Sequence, residues 1–247
     1  MHKVFTIALA IVALIGATSN ARLNGNSPLV IHVVNGAGYP PLVSLNAAQR
    51  GPLVARDDSG DAGLTKIVSN FTQYAESPYW GRLGYAVIGP ESKSAEGTEQ
   101  WLATAFTPKA NHLATKVEVP VKYYSGTNGV TVSIYDDAGG VPGKALHTWE
   151  LTNLPSTPCC TVGTVSYKRG VPLTGGKQYW IVVGTNAKYA ASVAIWTLTE
   201  FARTQQKGSS WATYCSGNGC SGIGIPDNTW KVNTGMFYGF AYAVLGT

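Results

Sequence analysis

The segment between Phe106 and Val183 constrains the chain more than any other, because it alternates with a period of two between brief turn clusters. Leu113, Thr115, Val117, Val119, Val121 and Tyr123 interleave with Ala114, Lys116, Glu118, Pro120, Lys122 and Tyr124. That pattern puts an apolar set on one face of a half-buried strand. Ser125 to Gly129 then turns the chain into Val130–Tyr135, and Asp136 to Gly143 turns it into a strand over Ala145–Leu151. Further strands are predicted over Leu83–Ile88, Glu99–Phe106, Val162–Tyr167, Gln178–Val183, Val193–Glu200 and Met236–Leu245. In the last of these Met236, Tyr238, Phe240, Tyr242 and Val244 share a face. Tyr179 to Val183 is apolar on both faces, as a central strand between two layers requires. Pro120 marks an edge or a bulge in its strand, since it cannot donate to a ladder. No segment has helical periodicity. Short strands between turn clusters specify an all-β fold, an antiparallel sandwich or barrel.

The first residues give an address. Met1-His2-Lys3 is a basic start, Val4 to Gly16 is an apolar run, and Ser19-Asn20-Ala21 offers the small residues of a cleavage site. This is the layout of a secretory signal peptide over residues 1–21. Asn20 and Arg22 interrupt the run before the roughly 20 apolar residues that a membrane span needs. No second run of that length follows, so no transmembrane segment is expected after signal removal, and the product is expected to be secreted or extracellular, with envelope association open. Residues 22–65 read as a linker or extension in which only Leu29–Val34 has strand character, and 66–247 as the β-sandwich domain.

Charge and cysteine usage fit that address. Charged residues are 13% of the chain, well under the roughly 25% of average proteins. The formal net charge is +5, but apart from Lys168-Arg169 the mature basic residues stand singly, and no zinc knuckle or RNP sequence is present. Nucleic acid is therefore not an expected partner. The four cysteines fall into two local pairs, Cys159-Cys160 and Cys215 with Cys220. An exported chain with an even count is expected to oxidise them, with three connectivities open.

Chemistry is less marked. Of the mature histidines His32, His112 and His147, none sits in a metal-ligand, nucleophile-elbow or triad-like motif. His147 is two residues from Trp149 and shares its face. Glu118 and Glu150 read as solvent-facing strand residues. Asp136-Asp137 before two glycines offers calcium ligands, but it lacks the spaced acids of an EF-hand loop, and Asp with Gly is also what a hairpin turn demands. No catalytic residue, metal site or cofactor is expected.

A family resemblance covers Lys66 to Thr247. The run from Tyr124 to Tyr135, then Gly139-Gly140-Val141-Pro142-Gly143, Trp149, Leu151 to Pro155, the Cys159-Cys160 pair and Leu173 to Trp180 together resemble the choice-of-anchor R domain. The resemblance implies an exported bacterial protein with a jelly-roll-like β-sandwich, and it implies no established activity.

Aromatic residues are the remaining signal, with seven tryptophans and thirteen tyrosines. Sugar rings stack their C–H faces on such rings while Asn and Asp bind the hydroxyls. Trp211 and Tyr214 precede the Cys215–Cys220 loop, and Asn218, Asp227 and Asn228 lie near it. These five residues are the expected ligand site, on a stapled loop at one end of the sandwich. The sequence thus points to a non-catalytic module that binds polysaccharide or another extracellular polymer. The alternative is a structural or surface-associated matrix protein acting through protein contacts.

Overall fold

A computed structural model describes residues 31–32, 42–44, 63–71, 80–93, 97–156, 162–198, 210–233 and 239–247. They form two antiparallel sheets packed face to face. The larger is built on the order β1 (Ile31–His32), β2 (Leu42–Ser44), β4 (Trp80–Ile88), β5 (Glu99–Phe106), β11 (Tyr179–Gly184), β8 (Gly129–Asp137) and β9 (Pro142–Thr152). β12 (Val193–Leu198) pairs with β4 and with β7 (Val121–Ser125), while β13 (Trp211–Ser216) pairs with β5 and with β14 (Thr229–Asn233). The smaller sheet runs β10 (Gly163–Leu173), β6 (His112–Val119), β15 (Ala243–Gly246), β3 (Thr65–Ser69). No helix among the described residues is long and apolar enough to cross a membrane.

The doubly apolar segment is central, as its pattern requires. β11 lies between β5 and β8. Tyr179, Ile181 and Val183 point into the core between the sheets, and Trp180 and Val182 belong to a second cluster on the opposite face. From the smaller sheet the core receives Val117, Val119, Val165, Val171 and Val244. Its aromatic centre is Trp196 stacked on Phe240 at 4.5 Å, with Tyr85 and Trp211 around them. Burial of each such ring is worth on the order of 2–3 kcal/mol.

The strand predicted over Leu113–Tyr123 is two strands in two sheets. β6 ends at Val119, β7 begins at Val121, and Pro120 is the corner between them. A residue without an N–H suits a place where the ladder changes partners. Its carbonyl accepts from both the backbone N and Oγ1 of Thr197, each at 3.1 Å.

Three expectations need correction. Among the described residues, 22–65 include two short strands rather than one, besides the first residue of β3, and β2 pairs along β4 with Leu42 opposite Tyr85. Trp211 to Ser216, expected to be loop, is a strand inside the larger sheet, because β14 returns alongside it after a connection that holds the disulfide loop and one 3-10 turn at Ser221–Ile223. Glu118 is not solvent-facing: it is 3% exposed, with Lys116, two residues away on β6, as ion-pair partner at 3.2 Å. Met236, Tyr238 and the Cys159-Cys160 pair lie outside the described residues.

Candidate functional site

The outer face of the larger sheet is assembled by register. β5 is apolar on both sides but with different sizes: Leu102 and Phe106 point into the core, and Trp101, Ala103 and Ala105 point away. Trp101 is paired across to Tyr214 of β13, and Tyr214 to Trp230 of β14. Three part-buried rings therefore form a row at right angles to the strands. Centroids are 5.1 Å apart for Trp101 and Tyr214 and 5.5 Å for Tyr214 and Trp230, with tilts of 38° and 53°. One pleat along, Val232, Ala212, Ala103 and Val182 make a small-residue row. Beyond it Trp180 of β11 pairs with Tyr135 of β8. Small side chains between two lines of large ones let the rings pack down onto the sheet.

Polar groups anchor these rings at their edges. Trp101 Nε1 donates to Glu99 Oε1 at 2.9 Å and to Thr185 Oγ1 at 3.2 Å. Tyr214 donates its hydroxyl to Asn228 Oδ1 at 3.1 Å, and Asn228 Nδ2 donates to Asp227 Oδ2 at 3.1 Å. Asp227 Oδ1 accepts from the Gly217 N–H at 2.8 Å, which ties the turn before β14 to the loop closed by Cys215–Cys220. That disulfide has its Cα atoms 5.6 Å apart, and Ile225 packs against it. Asn228 has φ of 56°, a left-handed conformation that asparagine tolerates better than most residues.

At the other end, Asp137 Oδ1 accepts from Trp180 Nε1 at 2.8 Å and from Gln178 Nε2 at 2.7 Å, and Oδ2 accepts from the Gly140 N–H. Burial works to raise this carboxyl, but the hydrogen bonds from Trp180, Gly140, Gln178 and Gly139 outweigh it and hold it below the usual aspartate range. Asp136 Oδ1 accepts from the Lys144 N–H. Both carboxylates thus serve the hairpin, and the described residues contain no group of three or more acidic, His or Cys side chains arranged for a metal ion.

Four of the five expected site residues gather here and one does not. Tyr214, Asp227 and Asn228 form one hydrogen-bonded chain, and Asn218 sits exposed on the adjacent disulfide loop. Trp211 faces the other way: it is 3% exposed, stacked on Tyr85 and edge-on to Phe240. In a strand, residues three apart point to opposite faces, so Trp211 and Tyr214 cannot share a surface. Trp101 and Trp230 take its place. Their signal was the two-residue spacing of Trp101 with Ala103 and of Trp230 with Val232, which places small or apolar groups beside each indole.

His112 on β6 and His147 on β9 stay apart from this row. His147 stacks on Tyr167 at 3.9 Å and meets Trp149 edge-on at 4.6 Å, and burial lowers its imidazole below the usual histidine range. Glu150 is exposed as expected and accepts from Lys188 and the Tyr189 hydroxyl, with Lys188 its larger influence in holding the carboxyl low. No protein-family model and no curated protein matches the chain. The resemblance to the choice-of-anchor R domain therefore rests on its quoted motifs alone.

Proposed function

We propose that this is an exported, non-catalytic β-sandwich module that binds an extracellular polysaccharide on the outer face of its larger sheet. One observation carries the reading: Trp101, Tyr214 and Trp230 form a row across three adjacent strands, with Asn228 and Asp227 hydrogen-bonded at its side. Rings offer stacking surface, and the amide and carboxylate offer directional partners for hydroxyls. A rigid sheet holds them in place, which limits the entropy lost on binding. The leader-like residues 1–21 and the Cys215–Cys220 disulfide suit an oxidising, extracytoplasmic setting. A matrix role through apolar contacts has less to support it, since Leu146, 42% exposed, is the sole large apolar side chain that stands out among the described residues.

The test is a glycan-array and insoluble-polysaccharide pull-down with residues 22–247, beside Trp230→Ala and Tyr214→Ala. Specific retention lost in both variants is the expected outcome. Absence of retention on every polymer by a folded protein returns preference to the matrix reading.

A further inference from the structure

Within the row, Trp101 is placed differently from its neighbours. It stands next to Gly184 of β11, one step from their ladder partners Leu102 and Val183. A Cβ built on Gly184 would meet Trp101 Cδ2, Cγ and Cδ1 at 2.7, 2.8 and 3.1 Å. Three ring atoms at nearly equal distance mean that the point lies over the flat of the ring, not at its edge. The indole therefore lies down across the Gly184 backbone, with one face against the sheet and the other directed away from it. Glu99 and Thr185 hold its Nε1 from the edge, which fixes the ring's rotation. Glycine at 184 is what permits this pose, because any side chain would lift the indole.

Among the described residues, the charges beside the row have one sign. Glu99 lies two residues from Trp101 on the same face of β5; its Oε1 accepts from Trp101 and Thr185, and among the described residues none donates to its Oε2. Asp227 reaches the row through Asn228. Lys231, between Trp230 and Val232 on β14, alternates to the opposite face and donates to the Gly224 carbonyl. In a chain of net charge +5, the aromatic row is nonetheless bordered by carboxylates, which repel anionic groups and accept from hydroxyls.

We infer that Trp101, laid flat by Gly184 and rimmed by Glu99 and Asp227, is the sugar-stacking platform of this face and takes a single glycan chain free of carboxylate and sulfate groups. The inference rests on the glycan-binding reading above. The tilts of 38° and 53° favour one flexible chain over a flat crystalline surface, which needs coplanar rings.

The experiment starts from an array of neutral and acidic oligosaccharides probed with the mature chain. The strongest oligosaccharide is then titrated calorimetrically against wild type, Trp101→Ala, Trp101→Phe and Gly184→Ala, with circular dichroism confirming folding. A neutral oligosaccharide is expected to rank first, and Trp101→Ala and Gly184→Ala each to weaken it about tenfold or more, with Trp101→Phe recovering part. Selection of a uronic-acid or sulfated glycan overturns the inference while leaving the glycan-binding reading intact. So does full affinity in folded Trp101→Ala, or tighter binding to crystalline cellulose or chitin than to soluble oligomers. Binding to no carbohydrate overturns both. Should Gly184→Ala fail to fold, the Trp101→Ala and Trp101→Phe pair decides alone.

Discussion

Lys122 lies on β7 opposite Ile195, is 6% exposed, and is held below the usual lysine range by burial alone. Desolvating an ammonium disfavours its charged form, so the fold bears a penalty while that lysine is protonated. The unfolded chain binds the proton more tightly, and the penalty therefore shrinks as pH rises from the lowered value toward the ordinary one. Lys122→Met is expected to stabilise by about 1–2 kcal/mol at neutral pH, with the gain fading in alkali, as urea midpoints across pH will show. Two tryptophans make a contrasting pair. Trp211→Ala empties the core beside Tyr85 and Phe240 and is expected to cost about 3–5 kcal/mol. Trp230→Ala, on the outer face, is expected to cost far less in thermal denaturation while losing binding. Sequence alone groups Trp211 with Tyr214, because in a loop alternation has no force. Once it is a strand, parity assigns each ring its side.

β13 and β14 show why such elements escape a sequence reading. Trp211-Ala212-Thr213-Tyr214-Cys215 carries apolar residues on both faces within six positions, and Thr229 to Asn233 is only five long. Neither has the clean alternation of β8 and β9, whose turn signals and period-two patterns were legible throughout. What makes them strands is tertiary: β13 pairs with β5 along Trp101, Leu102 and Ala103, and β14 pairs with β13. The disulfide then closes a loop with a sequence separation of five. For a loop of that size, the chain-entropy relation gives about 2 kcal/mol. Cys215→Ala with Cys220→Ala is expected to lower stability by that amount in chemical denaturation. It is also expected to weaken binding, because Gly217 and Asp227 would no longer be held in register. The corner at Pro120 is a middle case. Proline announced an irregularity, but only the packing of two sheets turns an irregularity into a change of sheet.

At the scale of the whole molecule, acid acts among the described residues on His147 and Asp137, on opposite sides of the larger sheet, and on the exposed Glu150. His147 sits below its ordinary value, so stability is fully present above the ordinary histidine value of about 6.5 and declines as pH falls through the lowered one. Asp137 is also lowered, from 3.8, and its contribution is lost only as pH drops beneath that value. A plot of urea midpoint against pH is expected to fall in two steps. His147→Phe should remove the first, and Asp137→Asn should shrink the second, which Glu150 shares. The all-β architecture and most strand positions were written in the period-two pattern. The face that gathers Trp101, Tyr214 and Trp230 was not, since it depends on ladder register between segments more than a hundred positions apart. The same long reach governs how the protein is made. β15 sits between β6 and β3, and the Asn70 side chain is bonded to the Phe240 carbonyl 170 positions away. A ribosome or translocation channel must therefore release residue 246 before the smaller sheet has its inner strand. Until then the nascent chain holds its apolar faces open, and a stop codon at 242 is expected to yield a product degraded by proteases rather than a shortened domain.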